Sequence, residues 1–173
     1  MDNIIITQYY SPIGELIIGS YHDKICLCDW ADGKQRRTVD RRVYLYLKSK
    51  YEYGTTPVIE QTIKELAEYF DGKRKEFTVP IILTGSEYQC IVWEELRKIP
   101  FGTTISYAEL VRRIEHPKAS KAVSSALSTN PLSIIVPCHR IIASKYTFDG
   151  YVGGLPAKEY LLTLESGGPE AIS

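Results

Sequence analysis

A chain of 173 residues can hold one sizeable core or two small lobes packed together. Its 44% hydrophobic and 24% charged residues exclude wholesale disorder, and a formal net charge of zero argues against binding nucleic acid by bulk charge alone. The opening MDNIIITQYYSPIGEL has no basic leader, and its apolar run is too short for a signal core or a membrane span, so a cytoplasmic protein away from membranes is expected.

In chain order, the first third reads as antiparallel strands. IIITQYY and ELIIGSY flank the turn SPIG, and ICLCDW follows the turn HDK. Cys26 and Cys28 alternate with apolar residues, which predicts one shared face. His22 could join them in a metal site, but no fourth ligand is evident and the spacing is not that of a zinc knuckle. No metal is therefore expected, and with Cys90 and Cys138 these read as reduced thiols. Asp32 to Arg42 is polar and basic and reads as a loop. Thr56–Pro57 supplies a cap and a first-turn proline for a helix bearing Ile59, Ile63, Leu66 and Phe70, closed by Asp71–Gly72. FTVPII reads as an edge strand because of Pro80. Residues 1–83 thus form a small α+β lobe with no chemical motif.

From Thr84 the pattern turns helical. Ser86 and Gln89 form a capping box before CIVWEELRKI, and Ser106 with Glu109 opens SYAELVRRIE. Pro117 interrupts, and ASKAVSSALST runs as a third helix to Asn130–Pro131. Two short helices joined by HPKA have the outline of a helix-turn-helix, with Ser120 and Lys121 foremost at the second helix. Its small residues Ala122, Ser124, Ser125, Ala126 and Ser128 would let a nucleic-acid backbone approach closely. Residues 106–145 carry Arg112, Arg113, Lys118, Lys121, Arg140 and Lys145 against Glu109 and Glu115, a local surplus suited to phosphates. A last helix follows GGLPAKEYLLTLE, so residues 84–166 make a second lobe and 167–173 a tail.

The run Asn130-Pro-Leu-Ser-Ile-Ile-Val-Pro-Cys138-His139-Arg140 concentrates the chemistry. A reactive cysteine needs cationic or donor neighbours to stabilise its thiolate, and His139 and Arg140 are of that kind. Adjacent residues on an extended chain point to opposite sides, which disfavours a direct cysteine–histidine dyad of the protease type. A water-bridged relay is easier, with Glu159 or Glu165 of the last helix orienting His139.

PFGTTISYAEL, NPLSIIVPCHRII and GYVGGLPAKEYLLTLE, in this order and spacing, resemble the O6-alkylguanine-DNA alkyltransferase family, the methylated-DNA–protein-cysteine methyltransferases. SPIGELIIGSY is similar to the family's more variable N-terminal lobe. The resemblance implies an α+β fold: a small sheet-plus-helix lobe packed on a mostly helical lobe with a helix-turn-helix. It implies a monomer acting without a cofactor on double-stranded DNA that contains O6-alkylguanine. Cys138 would accept the alkyl group once per molecule, and His139, through a water and Glu165, would relay the proton. Asn130 would be the hinge between helix-turn-helix and active-site segment, and Tyr107 would press on the 3′ phosphate as the base rotates out. Tyr151 would wall the base pocket, with the backbone near Val136 and Cys138 reading the base edge. Ser120, Lys121, Ala122, Ser124, Ser125 and Arg140 would face DNA.

Three positions depart from the family pattern. Lys121 stands for the usual arginine finger, Ser124 and Ser125 for two glycines, and Val152 for a serine that often contacts the guanine oxygen. These changes leave a non-catalytic alkyltransferase-like protein, which binds and flags alkylated bases, as the alternative. A helix-turn-helix regulator is another, though no sequence feature supports dimerisation. Cys138 in place favours transfer.

Overall fold

The computed structural model describes residues 2–116, 119–142, 151 and 153–167. Lys118, Lys145 and Val152, and the tail beyond Gly167, lie outside these residues.

Strands β1 (Ile4–Ser11), β2 (Gly14–Tyr21) and β3 (Lys24–Trp30) form an antiparallel meander, and β4 (Tyr51–Tyr53) pairs with β1 in parallel. His22 and Asp23 both have positive φ, the geometry that a two-residue hairpin turn requires. In β3, Ile25 pairs with Ser20 but Leu27 pairs with Gly19, so Cys26 is an extra residue. This bulge reverses the side-chain parity. Cys28 packs with Leu16, Ile18 and Ile25, whereas Cys26 joins Ile4, Ile6 and Leu27 in a separate cluster. The expected shared face of the two cysteines is thereby lost.

Both faces of the sheet are covered. Helix α1 (Arg36–Leu47) begins inside the stretch Asp32 to Arg42 expected to be a loop, and buries Val39 and Val43 against the Cys26 cluster. Its arginines hid a two-turn apolar stripe at spacing i, i+4, i+8 that ends at the partly buried Leu47. Helix α2 (Pro57–Phe70) begins as expected, with Thr56 Oγ1 accepting from Ile59 N and proline in the first turn. FTVPII is not a strand. It makes one bridge, in which Ile25 N donates to Pro80 O and Ile82 N to Ile25 O. Further along β3, Cys28 N donates to Pro131 O and Ser133 N to Cys28 O. Short segments from both halves of the chain therefore close the free edge of β3, and one of them leads directly to Cys138.

The second half contains α3 (Glu87–Arg97), α4 (Tyr107–Ile114), α5 (Ala119–Ser128) and α6 (Leu155–Gly167). A complete capping box of Ser86 and Gln89 starts α3, and Ser106 Oγ caps α4 by accepting from Glu109 N. The parallel pair β5 (Ile105–Ser106) and β6 (Ile141–Ile142) ties the start of α4 to the chain after Cys138. One apolar core runs through both halves, from Leu16, Ile18 and Leu66 to Trp93, Val123, Leu132, Val136 and Leu161. Among the described residues no helix is long and apolar enough to cross a membrane.

Candidate active site

The segment after α5 is held by one amide. Asn130 is 1% exposed, and its Oδ1 accepts from Leu132 N at 2.9 Å. Its Nδ2 donates to Val136 O at 2.9 Å and to Cys138 Sγ at 3.3 Å. The amide thus links the end of α5 to the thiol. The segment is not the extended strand expected. Val136 N donates to Leu132 O, Ile134 sits at φ 73, and Cys138–Arg140 form a 3-10 turn. A β-branched residue in the left-handed region costs about 1–3 kcal/mol, offset by the packing and hydrogen bonds around it. Val136 O already accepts from Asn130 and from Cys138 N, so it shapes the turn and is not open to read a base edge as expected.

Cys138 is 5% exposed, and burial pushes its thiol up to about 11, against the opposing pull of the Asn130 hydrogen bond and the Lys158 charge. No direct hydrogen bond joins it to His139. The His139 ring is fully buried, with Nε2 at 2.7 Å from Glu165 Oε2. That carboxylate also accepts from Arg140 Nε at 2.8 Å, Arg140 Nη2 at 2.9 Å, Tyr69 Oη at 2.6 Å and Gly102 N at 3.4 Å. Burial pushes Glu165 up, but the donors His139 and Arg140 outweigh it and hold the carboxyl well below its usual range. An ionised, acceptor-only Glu165 places the imidazole proton on Nε2. Nδ1 is then a buried lone pair with no partner among the described residues. Burial, joined by the Arg140 and Lys158 charges, pulls the His139 pKa down more than Glu165 raises it, which favours the neutral ring.

Of the two carboxylates considered as the orienter, Glu165 is bonded to His139, whereas Glu159 is exposed on α6. Arg140 requires correction as a DNA-facing residue. It is 7% exposed and divides its guanidinium between Glu165 and Ile99 O, because a buried carboxylate needs a compensating charge. Two buried polar residues were not anticipated. Lys158 donates from Nζ to Ile141 O at 2.6 Å, and Tyr69 donates to Glu165. A signal for Lys158 was available: with Leu161 and Glu165 it lies at i, i+3, i+7, on the core-facing stripe of α6.

Tyr151 stands edge-on to Trp30 at 5.4 Å and has its centroid 6.3 Å from that of His139. Its hydroxyl is buried without a partner among the described residues. Gly153 lies so close to Trp30 that a Cβ there would come within 2.7 Å of the indole. Trp30, Lys34, Tyr151, Gly153 and Gly154 line a cavity of about 220 Å³.

On the adjoining helical pair, Tyr107 Oη donates to Ser120 O at 2.6 Å, fixing the phenol at the start of α5. Ser120, Lys121, Ser124 and Ser125 are exposed. The expected uniform small face is split, since Ala122 is partly buried and Ala126 is in the core, where its carbonyl accepts from Trp93 Nε1. Arg112 and Arg113 both pair with Glu109, which reduces the positive surplus on α4. His22 is exposed and pairs with Asp2, away from the buried Cys26 and Cys28.

Comparison with known proteins gives concordant matches over both halves. Residues 4–83 match the family model "6-O-methylguanine DNA methyltransferase, ribonuclease-like domain", and residues 87–167 match "6-O-methylguanine DNA methyltransferase, DNA binding domain". The methylated-DNA–protein-cysteine methyltransferase of Haemophilus influenzae is 35% identical over 166 residues, covering 95% of this chain and 88% of that protein. The constitutive one of Bacillus subtilis is 37% identical, covering 92% and 93%. Mycobacterium tuberculosis OGT, solved in complex with DNA, superposes with a TM-score of 0.80 at 31% identity, covering 97% of both chains.

Proposed function

Since the chain belongs to the 6-O-methylguanine DNA methyltransferase family, the methylated-DNA–protein-cysteine methyltransferases, we propose that it repairs DNA by moving an alkyl group from guanine O6 to Cys138. The observation that carries this reading is the buried Cys138 turn, tied by Asn130 to α5 and flanked by a His139 whose Nδ1 is open and whose Nε2–H is held by Glu165.

The thiol is protonated at rest, because burial disfavours the thiolate. When the lesion binds, a water passes the thiol proton to His139 Nδ1, and the positive charge is shared with Glu165. Lys158, whose charge favours the thiolate, steadies the developing anion. Sulfur attacks the alkyl carbon in line, the S–C bond forms as the C–O6 bond breaks, and the proton returns to the base so that guanine leaves neutral. The thioether is stable, so each molecule acts once.

A stacked base cannot present its alkyl carbon for this attack, so the nucleotide is turned out of the duplex. The exposed N-terminal end of α5, with Ser120, Lys121, Ser124 and Ser125, lies against the groove, Tyr107 against the 3′ phosphate, and Tyr151 at the pocket wall. The protein acts as a monomer. Lysine keeps the charge of an arginine at position 121 but lacks the planar fork that fills the gap left by the base. Lys121→Arg is accordingly expected to raise the single-turnover rate on duplex DNA, and a variant no faster than wild type would contradict the role of Lys121.

Duplex DNA with a single O6-methylguanine tests the function. Guanine should be restored one lesion per protein molecule, and not by Cys138→Ser. Tighter binding to the lesion without restoration would replace this reading with non-catalytic damage recognition.

A further inference from the structure

We propose that Tyr69 of α2 is a positioning residue for alkyl transfer, its hydroxyl tempering Glu165 so that His139 stays neutral and offers Nδ1 to the thiol proton. The inference rests on the transfer reading above. Cys138, His139, Arg140 and Glu165 all come from the second half of the chain, and Tyr69 comes from the first. The N-terminal lobe therefore contributes a side chain to the relay.

The geometry is specific. Tyr69 is fully buried, and its ring is held among Phe70 and Phe77, each at 5.4 Å, and Phe101 at 6.1 Å. This packing gives the phenol one direction, toward Glu165 Oε2 at 2.6 Å. The same oxygen accepts from His139 Nε2 at 2.7 Å and Arg140 Nη2 at 2.9 Å. Burial, followed by the Glu165 charge, keeps the phenol protonated, so it is the donor to the ionised carboxylate. A hydroxyl donating to a carboxylate is among the stronger hydrogen bonds in proteins.

Three donors on one oxygen divide its negative charge. Each lowers the basicity that remains for the other two, so the phenol weakens the hold of Oε2 on a proton at His139 Nε2. If the hydroxyl is removed, Oε2 becomes a stronger partner for imidazolium, and His139 then titrates at a higher pH. Besides Glu165, the groups that act on the ring are Lys158 from α6, Arg140 from its own turn, and Tyr151 edge-on to it, and Tyr69→Phe replaces none of them. A His139 already protonated near neutral pH cannot accept the thiol proton. The acid limb of the transfer rate should therefore rise with the His139 titration.

The test follows the His139 ring nitrogens by NMR across pH in the DNA-free protein, with single-turnover transfer rates over the same range. Tyr69→Phe removes one oxygen and keeps the ring. The His139 midpoint and the acid limb should both move upward, with a loss of about tenfold in rate at neutral pH, the size expected for one charge-assisted hydrogen bond. Replacing Tyr69 by 3-fluorotyrosine makes a stronger donor in the same place and should move the His139 midpoint downward, which also decides the matter if Tyr69→Phe does not fold. A His139 titration unchanged in the soluble variants would overturn the proposal and leave Tyr69 a packing residue, even if the rate falls. Absence of methyl transfer by wild type would count against the proposed function, while the His139 titration, which needs no DNA, would still decide the role of Tyr69.

Discussion

Glu165→Gln is expected to lower the transfer rate by about a hundredfold or more, the range of a lost general base, and to destabilise the fold by about 3–5 kcal/mol, the cost of a broken buried ion pair. Both effects arise from one carboxylate. Its two oxygens accept from His139, Arg140, Tyr69 and the Gly102 backbone. An amide keeps one oxygen acceptor and brings an NH2 toward donors, so the His139 tautomer is no longer fixed and Nδ1 need not remain open. Arg140, 7% exposed, would keep Ile99 O but lose its counter-charge. The pH dependence has a definite sign. The folded-state pKa of Glu165 is depressed, so its stabilisation is complete above the unfolded glutamate value, about 4.3, and is lost as pH falls through the folded value. Wild type should therefore lose stability in acid more steeply than Glu165→Gln. Denaturant unfolding at several pH values checks this, and equal stability at pH 7 would contradict the ion-pair account.

The second large effect is expected at Lys158. The residue is 2% exposed, its ammonium donates to Ile141 O immediately after the catalytic turn, and its charge favours the thiolate of Cys138. Lys158→Met keeps most of the volume and removes the charge. The Cys138 thiol should then be pushed further up, and His139, whose pKa Lys158 also lowers, should rise. Both shifts reduce transfer at neutral pH, together by about tenfold to a hundredfold, the size of one lost interaction with a charged group. Alkylation of Cys138 by iodoacetamide followed against pH reads the thiol directly. A profile identical to wild type would show that Lys158 serves only to hold the Ile141 carbonyl. Stability is a weaker readout here, since relief of the buried ammonium's desolvation opposes the cost of taking this donor from Ile141 O.

What the sequence made legible was mostly local. Thr56–Pro57 and the Ser86/Gln89 box satisfy helix ends within a few residues, so their signals needed no tertiary context. Helix α1 was hidden because Val39 and Val43 alone bury its stripe, among four arginines. The bulge at Cys26 arises from pairing with β2, and nothing in KICLCDW announces an extra residue. At the site, the resemblance pointed to Cys138, His139 and Glu165, which the fold brings into one buried turn and one helix face. Arg140 was misjudged because charge counting along the chain carries no information on burial. Tyr69 lies 96 residues from Glu165, and a side-chain contact at that separation has no local signature.

The most direct measurement is the intact mass of the protein after mixing with duplex DNA carrying O6-methylguanine, with peptide mapping and Cys138→Ser alongside. A single added methyl group on Cys138, absent from the variant and from incubation with undamaged DNA, is the predicted result. An unmodified Cys138 under conditions where the lesion is bound, or a methyl group on another residue, would contradict the transfer mechanism.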